Sequence, residues 1–308
     1  MTAFISSTDI YHESLWVELD HGTERLHLKR FYQQPLGSPV FLLHGSVSSG
    51  RIFYSHTLKG LAPFLARQGL DVYVADLSGR GESTPAVTRQ SSRTQQQIII
   101  EEIPAFLQKI RQIRGQNTPI HAVAHSWGGV LLTAYLARFP EATFASMSFL
   151  GSKRHVSVLN HERVFGLDLM WGLVGGLYTQ VYGYLPAKRL GLGSDDEPAA
   201  VYRDCKQWAY SRRQWRDPQD GFDYLAALQQ ASNLPATLHL AGQNDRFLGH
   251  PRDVQQLMRD MDNPADQFIL LSTANGFKQD YDHLSMCIAT TAVADHFVSI
   301  RDWIQCHP

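Results

Sequence analysis

The sequence predicts an α/β protein, a mostly parallel sheet with helices on both faces and one helical insert. Two observations carry this. Short apolar runs alternate with segments of helical spacing, the pattern of parallel strands joined by crossover helices. Between Ser152 and Ser232 the alternation stops, and the chain becomes helical, irregular and rich in Trp, Tyr, Gly and Arg before the alternation resumes. A length of 308 residues suits one large sheet with room for an inserted module. The expected division is therefore a core over 1–151, a helical cap over 152–232 and the rest of the core over 233–308.

In chain order, Ser14–Asp20 and Glu24–Tyr32 alternate apolar and polar residues and read as an opening hairpin, with His21-Gly22 near its turn. Pro39–Leu43 is a buried strand, Arg51–Arg67 a helix and Asp71–Ala75 a strand. Thr94–Arg114 has helical spacing, with Pro104 placed to kink it. Pro119–Ala124 is a strand that runs into a helix over Trp127–Arg138, and Thr143–Leu150 is the next strand. After the insert come a strand over Ala236–Ala241, a helix over Pro251–Met261, a strand over Gln267–Leu271 and a final helix over Leu284–Ile304. A helical insert between strands of one sheet is expected over the sheet's carboxyl edge, where open α/β folds bind ligands.

Composition narrows the function classes. Apolar residues make up 44% and charged residues 19%, enough for a sizeable core and too few charges for a disordered chain. A formal net charge of −1 removes the electrostatic reason to propose nucleic acid or an anionic membrane as partner. Cys205, Cys287 and Cys306 lie far apart with no CxxC pair, so neither a zinc site nor a redox motif is indicated, and no metal or organic cofactor is implied. The sparse cysteines and the absence of a basic, then apolar, leader in MTAFISSTDIYHESL read as cytoplasmic. Phe165–Leu185 is long and apolar, but Asp168, Thr179, Gln180 and several glycines interrupt it. It reads as a buried or lid helix, and no stable membrane insertion is expected.

The chemistry concentrates at Ala124-His125-Ser126-Trp127-Gly128-Gly129, which follows a strand and opens a helix. A serine on a tight strand-to-helix turn lifts its Oγ clear of the sheet, and the residues two before and two after must be small because backbones pack closely there. Here they are Ala124 and Gly128, alanine replacing the more usual glycine. A tetrahedral oxyanion needs backbone N–H donors. Trp127, at the helix N-terminus, should supply one, and Ser46, after His44-Gly45 at an earlier strand end, the other. His44 should brace that loop. In folds that carry a serine on such a strand-to-helix turn, the triad order along the chain is nucleophile, acid, base. Asp245 is the candidate acid, just past the strand ATLHLA where a carboxylate can reach the site, and the strand ending at Leu150 runs into Gly151-Ser152 and offers no acid. Of the histidines after QFILL, His296 falls in a helix and His307 in the tail, which leaves His283 in the loop ahead of the last helix. Asp280 and Asp282 read as loop residues. Asp76-Leu-Ser-Gly-Arg-Gly81-Glu-Ser83 lacks nucleotide-loop spacing and reads as a glycine-turned loop.

Together these features resemble the α/β-hydrolase superfamily: HGS at 44–46, DLSGRGES at 76–83, AHSWGG at 124–129, GQND at 242–245 and DYDHL at 280–284. The resemblance implies the α/β-hydrolase fold and a serine hydrolase with a Ser126–His283–Asp245 triad. Members that use an aspartate nucleophile, haloalkane dehalogenases and epoxide hydrolases, are disfavoured by serine at 126. The insert, including Tyr184–Gly191, looks like the cap of uncharacterised predicted hydrolases of the superfamily, which carries no substrate information. The leading expectation is hydrolysis of a small-molecule carboxylic ester through an acyl-enzyme. Trp171, Tyr178, Tyr182, Tyr184, Trp208 and Trp215 would either wall an apolar acyl or aromatic pocket or simply pack the cap. Thioesterase, carbon–carbon bond hydrolase and amidase or peptidase activities use the same triad. Arg203, Lys206, Arg212, Arg213 and Arg216 would favour an anionic substrate if they faced the pocket. A membrane-associated lipase touching lipid through Phe165–Leu185 and a non-catalytic binding protein are the readings outside this set.

Overall fold

The computed structural model describes residues 10–19 and 22–308. Residues 1–9, and Asp20 and His21 of the anticipated hairpin turn, lie outside the described residues. Eight strands form the main sheet: β1 (Tyr11–Leu19), β2 (Glu24–Tyr32), β3 (Pro39–Leu43), β4 (Asp71–Asp76), β5 (His121–His125), β6 (Met147–Leu150), β9 (Thr237–Gly242) and β10 (Gln267–Leu271). Their spatial order is β1-β2-β4-β3-β5-β6-β9-β10. The β1–β2 and β2–β4 pairs are antiparallel and every other neighbouring pair is parallel.

Burial explains the sheet. All five residues of β3 are inaccessible to solvent. Phe41 and Leu43 enter one core cluster and Val40 and Leu42 the other, as a strand covered on both faces requires. Helices α1 (Leu61–Arg67), α2 (Ile103–Arg114), α3 (Trp127–Arg138), α7 (Pro251–Met261) and α8 (His296–Gln305) cover the two faces. Between β6 and β9 lie α4 (Gly175–Tyr182), α5 (Ala199–Tyr210), α6 (Tyr224–Gln230) and the antiparallel pair β7 (Tyr184–Leu185) and β8 (Glu197–Pro198). Val201, Trp208, Trp215 and Tyr224 of this segment share a core cluster with Trp127 and Val130 of α3.

Three elements differ from the expectation. Arg51–Arg67 is a short 3-10 turn, Gly50–Phe53, then a loop and α1. Gly60, with φ +115°, starts α1 where a side chain would collide with Phe53, so the helix cannot extend back through it. Leu284–Ile304 is broken into Ser285–Ile288, a 3-10 turn and α8, because Ala289 and Asp295 leave helical geometry. Thr143–Leu150 is a strand only over Met147–Leu150. Thr94 caps the α2 region in a capping box with Gln97, and the anticipated disturbance at Pro104 is a wide π turn over Ile98–Glu102 immediately before it.

Phe165–Leu185 is mostly helical, a wide-turned π stretch over Val164–Val174 continuing into α4. It is less buried than expected, since Phe165, Leu173, Leu177 and Val181 are all exposed. Among the described residues, no helix is long and apolar enough to cross a membrane.

Candidate active site

The turn between β5 and α3 holds Ser126 at φ 54°, ψ −122°, a strained conformation for a residue with a side chain. Small neighbours permit it. A Cβ on Gly128 would lie 2.4 Å from the Leu43 carbonyl oxygen, and one on Gly45 would lie 2.9 Å from Ser126 Cβ. The loop after β3 therefore packs directly on the turn. Ala124 fits at zero exposure, so the departure from glycine is accommodated.

Ser126 Oγ lies 2.9 Å from His283 Nε2, and His283 Nδ1 lies 2.6 Å from Asp245 Oδ2. With Nδ1–H donating to the carboxylate, Nε2 is left to accept from the hydroxyl. Ser126 is partly exposed, His283 is 7% exposed and Asp245 3%. Burial alone would raise the Asp245 pKa. The opposing charge and hydrogen bond of His283, helped by the Gly249 N–H and by Lys153, instead hold the carboxyl below its ordinary value. His125 points away from Oγ: its Nε2–H donates to the His283 carbonyl at 2.9 Å, and burial pushes its pKa down to about 3, so it is a neutral strut under the base.

The two expected oxyanion donors flank this group. Trp127 is the first residue of α3, where N–H groups have no intrahelical acceptor. Ser46 follows Gly45 on the loop packed against Ser126. His44 braces that loop, accepting from Leu77 N–H at Nε2 and donating from Nδ1 to the Gly45 carbonyl. Asp280 and Asp282 serve their own loops, the first accepting from Thr273 and the second from Leu284 and Ser285 N–H. Asp76 accepts from Gly50 and Glu82 N–H and pairs with His27, consistent with a structural loop at 76–83.

Two parts of the site escaped the sequence. Glu197, on β8, is 1% exposed and pairs with Arg80 of the 76–83 loop. Its other carboxylate oxygen accepts from Val47 N–H at 2.6 Å and from Ser46 Oγ at 3.2 Å. Val47 is β-branched at φ 49°, and Gly193 packs against its carbonyl so closely that a Cβ there would lie 2.2 Å from it. The insert thus clamps the loop that carries Ser46. The second part is Lys153, three residues past the end of β6, 7% exposed and with its Nζ 5.6 Å from the Trp127 ring centroid. The cap cations named from sequence sit differently: Arg203, Arg212, Arg213 and Arg216 are exposed, and Lys206 donates to the Gly172 carbonyl.

The aromatic residues of the insert divide. Trp208 and Trp215 are buried against each other, Tyr224 and Trp127. Tyr178 and Tyr182 stack on one another, and Tyr178 is exposed. A cleft of about 340 Å³ between Glu24, Ser78, Thr84, Arg93 and Pro198 includes none of Ser126, His283 and Asp245 and offers no nucleophile–base pair. Among the described residues no cluster of His, Cys, Asp and Glu is arranged to hold a metal ion.

Residues 38–187 match the family described as alpha/beta hydrolase fold. No match to a curated protein is found. Solved structures similar to the chain include a thermophilic esterase from Thermogutta terrifontis, at 17% identity and a TM-score of 0.60, over 96% of this chain and 100% of that one. A thioesterase domain from the curacin biosynthetic pathway is similar at 18% identity and a TM-score of 0.57, over 94% and 99%. A bromoperoxidase from Bacillus anthracis is similar at 13% identity and a TM-score of 0.59, over 95% and 100%. At such identities the likeness speaks for the fold alone, and the three names differ in chemistry. The sheet order, the sequence match over 38–187 and the neighbours agree that the chain has the alpha/beta hydrolase fold.

Proposed function

We propose that the protein is a serine hydrolase that cleaves a small carboxylic ester through an acyl-enzyme. The observation that carries this is the unbroken chain from Ser126 Oγ through His283 to Asp245, at 2.9 and 2.6 Å. In this reading Ser126 Oγ attacks the ester carbonyl while His283 Nε2 takes its proton. Asp245 stabilises the imidazolium and keeps the ring oriented. The carbonyl oxygen gains negative charge and is met by the N–H groups of Trp127 and Ser46. His283 then protonates the departing alcohol, and a water activated by the same imidazole releases the acid. The segment 152–232 acts as a cap that decides what reaches Ser126. The similar structures include both an esterase and a thioesterase domain, and the same steps serve a thioester.

The test is turnover of p-nitrophenyl esters of graded chain length beside the corresponding acyl-CoAs, with fluorophosphonate labelling. Wild type should hydrolyse the oxygen esters and label at Ser126. Ser126→Ala should lose about 10⁴-fold or more in turnover and all labelling while still folding, since alanine fits the turn. Equal labelling of a folded Ser126→Ala protein would overturn the nucleophile, and turnover confined to acyl-CoAs would replace ester by thioester.

A further inference from the structure

Lysine is almost never buried without a partner, because an ammonium removed from water loses its hydration and needs an opposing charge to replace it. Lys153 is 7% exposed and, among the described residues, makes no hydrogen bond or ion pair. Its Nζ lies over the Trp127 ring, 5.6 Å from the centroid. The other buried cations of the molecule are treated differently. Arg80 is paired with Glu197, Arg30 with Asp71, and Arg154 donates to the Ser211 and Arg212 carbonyls. Lys153 Nζ is also not sealed off, unlike the partnerless Oγ of its neighbour Ser152.

Its surroundings place it in the site. Trp127 carries one proposed oxyanion donor. Lys153 follows Gly151 and Ser152, and a Cβ on Gly151 would lie 3.0 Å from His283 Nδ1, while one on Gly129 of α3 would lie 2.3 Å from Ser152 Oγ. Against the larger penalty of burial, the nearby Asp245 and Asp253 favour the ammonium. The ammonium is thus carried on a segment that lies against both His283 and the start of α3. Asp245 is committed to His283, and Asp253 accepts from Ser157 N–H and Oγ, so neither supplies the missing counter-charge.

We infer that Lys153 binds an anionic group of the substrate, so that the esters taken by this site carry a carboxylate in addition to the bond that is cleaved. The inference rests on the hydrolase reading for the identity of the bond, and on the placement of Lys153 for the charge. Burial holds the Lys153 pKa below its ordinary value. A bound carboxylate favours the charged form and would restore it.

Equilibrium binding to the Ser126→Ala protein tests the charge without turnover. Monomethyl glutarate carries a carboxylate on the acyl side, and methyl pentanoate is its uncharged counterpart. The acetate ester of γ-hydroxybutyrate carries one on the alcohol side, and butyl acetate is its counterpart. The charged member of one pair should bind about tenfold or more tighter, the scale of a hydrogen bond to a charged group. Lys153→Met added to this background should erase the preference while the melting temperature holds or rises, since a partnerless buried charge has been removed. Lys153→Gln serves if the methionine variant does not fold. No preference for the charged member in either pair, or a preference that survives loss of the ammonium, overturns the inference. A Lys153 that merely supported Asp245 would alter the pH profile of wild-type turnover and leave the charged-to-uncharged ratio unchanged, which also overturns it. Failure of the hydrolase reading would appear separately, as wild type that turns over none of the four esters yet still discriminates between them.

Discussion

At the carboxyl edge of the sheet, each reactive side chain is placed by the backbone beneath it. Ser126 stands on a turn between β5 and α3, Asp245 follows β9, and His283 sits on a loop whose carbonyl is held by His125. In the segment 152–232, side chains are placed by one another: Trp208 by Trp215 and Tyr224, Trp171 by Tyr202, and Glu197 by an arginine far away in the chain. Each region holds one buried carboxylate that positions the site. Asp245, in the core, serves the ring of His283, and Glu197, in the insert, serves Arg80 and the Ser46–Val47 loop. A backbone-placed group can be exchanged without loss of fold, whereas a group held by its neighbours takes part of the structure with it.

The sharpest contrast is Asp245→Asn. The side chain keeps its shape, but an amide presents a donor or a neutral acceptor to Nδ1, favours the wrong imidazole tautomer and cannot stabilise the imidazolium. Turnover on the best ester should fall by about 10⁴-fold, with the thermal midpoint little changed. A kinetic assay and a melt on the same preparation check this. Asp245→Asn near wild-type activity, with Asp280→Asn or Asp282→Asn inactive, would move the acid elsewhere.

How legible each region was follows from the same difference. Ser126, Asp245 and His283 each sit beside a strand or helix end that the apolar pattern reveals, and chain order reduces the choice to a few residues. The strands were readable because both faces of the sheet are covered, which leaves apolar runs such as Pro39–Leu43. The 51–67 and 284–304 stretches read as continuous helices because their apolar spacing is right. Their interruptions arise from single backbone angles, at Gly60 and at Ala289 and Asp295, that spacing does not encode. Arg80 and Glu197 are separated by 117 positions, and nothing local to either signals the other. Lys153 directly follows Gly151-Ser152, but its burial against Trp127 brings in a residue distant in the chain, so its sequence reads as an ordinary loop cation.

Glu197→Gln should show a mixed effect. Removing the charge leaves the Arg80 guanidinium buried at 1% exposure without its counter-ion. Breaking such a pair typically costs about 3–5 kcal/mol in stability. The Val47 N–H loses a charged acceptor and gains at best an amide oxygen, so the left-handed Val47 is held less firmly and Ser46 is less well aimed. Turnover should fall roughly 10–100-fold, less than the roughly 10²–10³-fold of removing an oxyanion donor outright, and KM should change less than kcat. An unchanged kcat in a protein with a lowered melting temperature would confine Glu197 to a structural role.

The smallest effect on chemistry should come from Trp171→Ala, which also bears on whether the insert aromatics wall a pocket. Trp171 packs at the edges of three separate apolar clusters, and its ring meets Tyr202 edge-on at 5.1 Å. The Tyr202 hydroxyl donates to the Trp171 carbonyl at 2.6 Å, a bond that survives truncation of the side chain. Trp171 is only half-buried, so the loss of stability should stay below the roughly 3–5 kcal/mol of a fully buried tryptophan. A residue that joins clusters in this way holds the insert together, so the melting temperature should fall while the preferred acyl length stays where it is in wild type. If Trp171 instead lined the acyl pocket, its removal would open space for further methylenes, each adding about 0.8 kcal/mol of burial, and the optimum would move towards longer chains. The same p-nitrophenyl ester series, run on both proteins beside their melts, separates the two. A shifted optimum with an unchanged midpoint would show that this part of the insert is built around a substrate, as the carboxyl edge of the sheet is, and not around itself.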